Sequence, residues 1–219
     1  MRWTVPNILT IIRLLSAPAV LMVFLVLPRP FADWVALILF VGASVTDWFD
    51  GYLARRWGQQ TKLGTMLDPI ADKAMVIIAL AALVGLMGLN PWILLPAAVI
   101  LFRETFVSGL REFLGDTAGT LKVTKLAKWK TMVQMVAISV LFISGIFEHH
   151  VGALSFGMDA ATLQGVMEGN LSDARGLRVS MYAKGITGTL GVLLLWVAAT
   201  LTFVTGLDYF NKARPYLKD

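Results

Sequence analysis

Residues 47–72 read DWFDGYLARRWGQQTKLGTMLDPIAD and place four aspartates, an arginine and several small residues at helical spacings. Asp47, Asp50, Gly51 and Ala54 follow the i, i+3, i+4, i+7 rule, so they share one stripe of a helix. Gly64, Asp68 and Asp72 recur every four residues and share a face of a second helix. The polar stretch 58–62 breaks the run between them and lets the two helices lie antiparallel. Two pairs of carboxylates then face each other across one cleft.

Unpaired carboxylates near hydrocarbon cost about 2.5–3.5 kcal/mol each, and four together repel, so a cation is their natural neutraliser. With oxygen ligands only, and neither His nor Cys in the stretch, the set suits hard Mg²⁺ or Mn²⁺ rather than zinc. Two metals between two helices form a clamp for a phosphoryl centre. The bland alternative pairs the aspartates with Arg55, Arg56, Lys62 and Lys73 of the same window. Ion pairing alone has no use for Gly51, Ala54 and Gly64, whose missing side chains leave room for a ligand.

The surrounding 219 residues are 57% hydrophobic with a mean hydropathy of +0.72, too apolar for a soluble domain of this size. The expected class is an all-α integral membrane protein, a single domain over 1–219. The absence of cysteine excludes disulfides and thiolate metal sites. A net charge of +5 does not point to nucleic acid, because the basic residues are scattered between apolar spans. The N-terminal apolar run is expected to be retained, since Asn7, Thr10 and Arg13 interrupt it and no small-residue cleavage site follows.

Six transmembrane helices are expected, near 8–27, 33–54, 67–88, 91–112, 126–147 and 183–206, each close to the ~20 residues a bilayer requires. Alternating them puts 15 of the 19 Lys and Arg residues on the side of the aspartate cleft and leaves four on the other. The positive-inside rule makes that side cytoplasmic, in a multi-pass protein of the cell's inner membrane. His149 and His150 fall on the opposite side and are not expected to bind the cleft metals. The mixed segment 148–182 has no assigned role beyond a short interfacial helix expected at 159–167.

Two further clusters surround the cleft. In VPNILTIIR, residues 5–13, Pro6 suits a helix start and Thr10 and Arg13 project to one side; this is either a capped helix with a snorkelling arginine or part of a site. Arg103 and Arg111, with Lys122, Lys125, Lys128 and Lys130, form a basic cluster, read either as a solvated turn at the inner leaflet or as a pocket for a second anion.

Written with its spacings, Asp47, two residues, Asp50-Gly51, two residues, Ala54-Arg55, eight residues, Gly64, three residues, Asp68, three residues, Asp72, the stretch resembles at every position the signature of the CDP-alcohol phosphotransferases. These membrane enzymes transfer a substituted phosphate from a CDP-linked donor to an alcohol. The resemblance implies a two-metal Mg²⁺ or Mn²⁺ site on Asp47, Asp50, Asp68 and Asp72, with Asp72 also the proton acceptor. It places Gly51, Arg55, Thr61 and Gly64 at the nucleotide donor, together with the first-helix residues Asn7, Thr10 and Arg13. Arg55 is suited to bidentate contact with a diphosphate. A homodimer is also implied.

The runs RETFVSGLRE and KLAKWKTMVQ resemble the branch of this family whose acceptor is glycerol 3-phosphate, differing at Thr124 and Ala127, where serine and glycine are expected. Arg103, Arg111, Lys125 and Lys128 are the expected acceptor-binding residues, and CDP-diacylglycerol the expected donor, drawn from the surrounding membrane lipids. Inositol phosphate, phosphatidylglycerol or serine are alternative acceptors. A divalent-cation transporter using the aspartates, or a membrane scaffold in which they are dispensable, are the readings from other classes.

Overall fold

The computed structural model describes residues 4–57, 61–121 and 125–217, without the side chains of 48, 50–55, 57, 116, 120, 125, 127 and 128. The described residues are helical throughout, with no strand among them. The helices are α1 (Val5–Val26), α2 (Phe31–Trp57), α3 (Lys62–Met87), α4 (Pro91–Leu114), α5 (Lys125–Ser155), α6 (Ala160–Glu168) and α7 (Leu177–Ala213). Short 3-10 turns follow α4 and α7.

Local chemistry sets the helix starts. The Thr4 hydroxyl accepts from Asn7 N at 3.4 Å with Pro6 in the first turn, and Asn90 caps α4 just before Pro91. The Thr61 hydroxyl accepts from Gly64 N at 3.1 Å to open α3. A short helix is present where one was expected at 159–167: α6, whose N-cap Asp159 accepts from Thr162 N at 2.9 Å; the Thr162 hydrogen bonds hold its carboxyl below the usual range.

Five helices among the described residues are long and apolar enough to cross a membrane: Val5–Val26, Lys62–Met87, Pro91–Leu114, Trp129–Ser155 and Leu177–Leu217. The sixth expected span, on α2, is not among them. Of that expected span, 33–54, the side chains of 48 and 50–54 lie outside the described residues.

Two expected boundaries shift. Helix α5 runs on to Ser155 instead of stopping near 147, because Glu148, His149 and His150 bring no glycine or proline that would break it. Helix α7 starts at Leu177, not 183, because the Asp173 carboxylate accepts from Leu177 N at 2.8 Å and Arg178 N at 3.0 Å. Glu148, in the added part of α5, pairs with Lys184 of α7 at 3.0 Å. His149 lies nineteen residues beyond Lys130 on α5, about 28 Å along the axis.

The core is apolar and shared by all six long helices, with Phe40, Leu80, Ile100, Ile138, Phe142 and Leu195 fully or almost fully buried. Helices α5 and α7 approach closely where Gly191 faces Leu141; a Cβ there would sit 2.7 Å from Leu141 Cδ2. Gly188 faces Ser144 in the same way. The small-residue face of α7 is thus used inside the protomer, as small residues are where helices pack in lipid. At the end of α1, Arg29 makes paired hydrogen bonds to the buried Asp33, at 2.9 and 2.7 Å, and donates to Gly145 O at 3.1 Å. The Asp33 hydrogen bond raises the Arg29 pKa against partial desolvation, so α1, α2 and α5 are clamped together at this end.

Candidate active site

Helix α1 carries a polar stripe of Asn7, Thr10 and Arg13, each no more than 2% exposed. Their spacing puts them on one face, continued by the buried Ala17 and Val20. Polar groups so buried require partners, and the partners come from the signature stretch. Thr61 donates to Asn7 Oδ1 at 2.7 Å, and Thr10 donates to Asp68 Oδ1 at 2.7 Å. Arg13 Nη1 donates to Asp47 Oδ1 at 2.5 Å and to Asp72 Oδ1 at 2.8 Å. One guanidinium from α1 therefore joins a carboxylate of α2 to a carboxylate of α3.

Gly64 is explained by the same contact. A Cβ on it would stand 2.9 Å from Asn7 Oδ1, so a side chain there would displace the Asn7 amide from its place beside Thr61. The two aspartates are only partly covered, their side chains 46% and 43% exposed, so the cleft is open to a ligand. The pairing alternative offered by sequence is realised with a different residue: Asp47 and Asp72 pair with Arg13, while Lys73 donates to Ser108 Oγ at 2.6 Å. No three His, Cys, Asp or Glu side chains among the described residues are grouped to hold a metal. The side chains of Asp50 and Arg55, and the surroundings of Gly51, lie outside the described residues.

Beside Asp72 is a cavity of about 240 Å³ between α3, α4 and α5. Asp72 and Lys73 line it from α3, Glu104 and Arg111 from α4, and Lys130 and Gln134 from α5. Lys130 is ion-paired with Glu104 and both are largely buried. Arg111 lies over the Tyr209 ring of α7, 5.2 Å from its centroid. Three cations against two carboxylates leave the cavity suited to an anion, with Asp72 at its wall.

The expected acceptor residues are thus dispersed. Arg111 lines the cavity, whereas Arg103 lines an apolar groove of about 550 Å³ between α4 and α7, with Phe102, Phe106, Phe203 and Phe210. Arg103 reaches the cavity's wall through Glu104, at 3.3 Å. The side chains of Lys125 and Lys128 lie outside the described residues. Lys130 belongs to the basic cluster expected from the sequence, whereas Lys73 and Gln134 were not singled out for this pocket by sequence reasoning. The available signal was the four-residue step from Lys130 to Gln134, which puts both on one face of α5.

Comparison with known proteins identifies the family. The family model for CDP-alcohol phosphatidyltransferase matches residues 3–204. A Cereibacter sphaeroides protein named CDP-diacylglycerol--glycerol-3-phosphate 3-phosphatidyltransferase is 56% identical over 220 residues, covering 100% of this chain and 99% of its own. Proteins of the same name from Rickettsia bellii and Salmonella typhimurium are 36% and 39% identical, covering 96% and 80% of this chain and 96% and 97% of their own. With its aspartates, its α1 stripe and its full-length relatives in agreement, the chain belongs to the CDP-alcohol phosphatidyltransferase family.

Proposed function

We propose that this protein transfers the phosphatidyl group of CDP-diacylglycerol to glycerol 3-phosphate, giving phosphatidylglycerophosphate and CMP. The observation that carries the reading is the cavity that sets the Asp72 carboxylate beside Arg111, Lys73 and Lys130. An acceptor with a hydroxyl at one end and a phosphate at the other matches that distribution of charge. The same reaction is named for the relatives that share the full chain.

Asp72 takes the proton of the acceptor hydroxyl as its oxygen bonds to the lipid-side phosphorus and the bond from that phosphorus to CMP breaks. Arg111 holds the acceptor phosphate, and Lys130 keeps Glu104 neutralised so that the pocket stays cationic. Asn7, Thr10 and Arg13 keep Thr61, Asp68, Asp47 and Asp72 in register. The all-oxygen donor set, and the convergence of Asp47 and Asp72 on one cationic nitrogen from two helices, suit a hard divalent cation. Asp47, Asp50, Asp68 and Asp72 would hold Mg²⁺ or Mn²⁺, whose charge would offset that of the diphosphate and the departing CMP.

The cleft faces the cytoplasm in this proposal, supported by the 15-to-four division of Lys and Arg. Helix α2 is the sixth crossing: its 27 residues are about 40 Å long, enough for the ~30 Å hydrocarbon core. A homodimer is retained on the family resemblance, its interface lying elsewhere than Gly188 and Gly191. The test is CMP release by the purified protein in detergent with CDP-diacylglycerol and Mg²⁺ or Mn²⁺. Release on adding glycerol 3-phosphate, but not serine or inositol phosphate, is expected. Release with another acceptor only would overturn the substrate assignment.

A further inference from the structure

Gln134 on α5 is 2% exposed, and its Oε1 is buried with no hydrogen-bond partner among the described residues. Such an oxygen is costly to leave unmade, and its place in a structure calls for a donor. Arg103 Nε and the Tyr209 hydroxyl, atoms of the same kind, belong to residues that do not line the Asp72 cavity; Gln134 does. The neighbouring donors are turned elsewhere, Lys73 to Ser108 and Lys130 to Glu104.

A neutral amide oxygen accepts an O–H and repels a phosphate oxygen. The cations of the cavity suit the anionic end of an acceptor, and Asp72 suits its attacking hydroxyl. What Gln134 Oε1 can take is a second hydroxyl. We propose that Gln134 is a specificity-determining residue that accepts a hydrogen bond from the C2 hydroxyl of the acceptor, so that the pocket selects a phosphorylated vicinal diol over a simple phosphorylated alcohol. This rests on the transfer reaction proposed above.

The experiment compares glycerol 3-phosphate with 3-hydroxypropyl phosphate, which lacks only the C2 hydroxyl, by CMP release in the unaltered protein, in Gln134→Met and in Gln134→Glu. The unaltered protein is expected to favour glycerol 3-phosphate by about 10- to 100-fold in kcat/KM. Gln134→Met, similar in volume but without the oxygen, should bring that ratio to within about threefold by losing rate with glycerol 3-phosphate alone. Gln134→Glu, which keeps an acceptor oxygen, should preserve the preference even if turnover slows.

Equal use of both acceptors by the unaltered protein would overturn the assignment without recourse to any variant. So would a ratio in Gln134→Met that matches the unaltered protein. No CMP release from the unaltered protein with either acceptor, while another alcohol supports it, would instead sink the proposed reaction and this inference with it.

Discussion

Replacing Arg13 with methionine tests the bridge on which the site is built. Methionine keeps much of the unbranched stem that fills the α1–α2–α3 contact and removes only the guanidinium. Among the described residues, charge-assisted hydrogen bonds to Asp47 at 2.5 Å and Asp72 at 2.8 Å are lost. Each is worth about 1.5–3 kcal/mol when fully buried. The carboxylates are nearly half exposed, so water recovers roughly half of that, leaving a net loss of about 1.5–3 kcal/mol for the two bonds.

At about 2–4 °C per kcal/mol for a chain of this size, the midpoint of thermal unfolding in detergent should fall by about 3–12 °C. Arg13→Lys should recover part of it, since an ammonium keeps the charge without the planar fork. Combining Arg13→Met with Asp72→Asn should cost less than the sum of the two, by about 1 kcal/mol or more, because they share one interaction. A midpoint within about 1 °C of the unaltered protein would refute the bridge as a structural element.

Asp72→Asn should reduce CMP release by at least about 1,000-fold while CDP-donor binding, followed by calorimetry, changes little; near-normal turnover at saturating metal would remove the general-base role. Arg111→Ala should raise the KM for glycerol 3-phosphate by about tenfold and leave the donor KM within about twofold, in parallel kinetic titrations. Stripping metal with EDTA should stop turnover, with recovery on adding Mg²⁺ or Mn²⁺ but not from the protein alone. Gly191→Ala puts a Cβ 2.7 Å from Leu141 Cδ2 and should lower stability by about 1–3 kcal/mol, read as an earlier melt, without altering acceptor preference.

The aspartate pattern was legible because a helix repeats every 3.6 residues, so spacing alone assigns Asp68, Asp72 and Gly64 to one face. What spacing cannot carry is the partner across space. Asp72 lies 59 positions from Arg13, and the nearer Lys73 was the obvious counter-ion; adjacent helical residues diverge, and Lys73 turns to Ser108 instead. The basic cluster read as one group, yet Arg103 and Arg111, eight residues apart, drift around α4 enough to face a groove and a cavity respectively. The helix ends near 155 and 177 were hidden because polar residues dilute an apolar signal without breaking a helix, and because the cap Asp173 acts from outside the apolar run.

The buried stripe of α1 also bears on how the chain is made. Helix α1 leaves the ribosome before α2 and α3, and at that moment Thr61, Asp68, Asp47 and Asp72 have not been synthesised. An arginine held in lipid without them costs about 2.5–3.5 kcal/mol on insertion scales, and Asn7 and Thr10 add to it. Arg13 stands nine residues into the 22-residue helix, within reach of the headgroups if the segment stays shallow. Full seating of α1 then waits for α3, and integration of the first helix is coupled in time to completion of the catalytic centre. A nascent chain truncated before Asp68 should remain alkali-extractable more readily than one extended past α3.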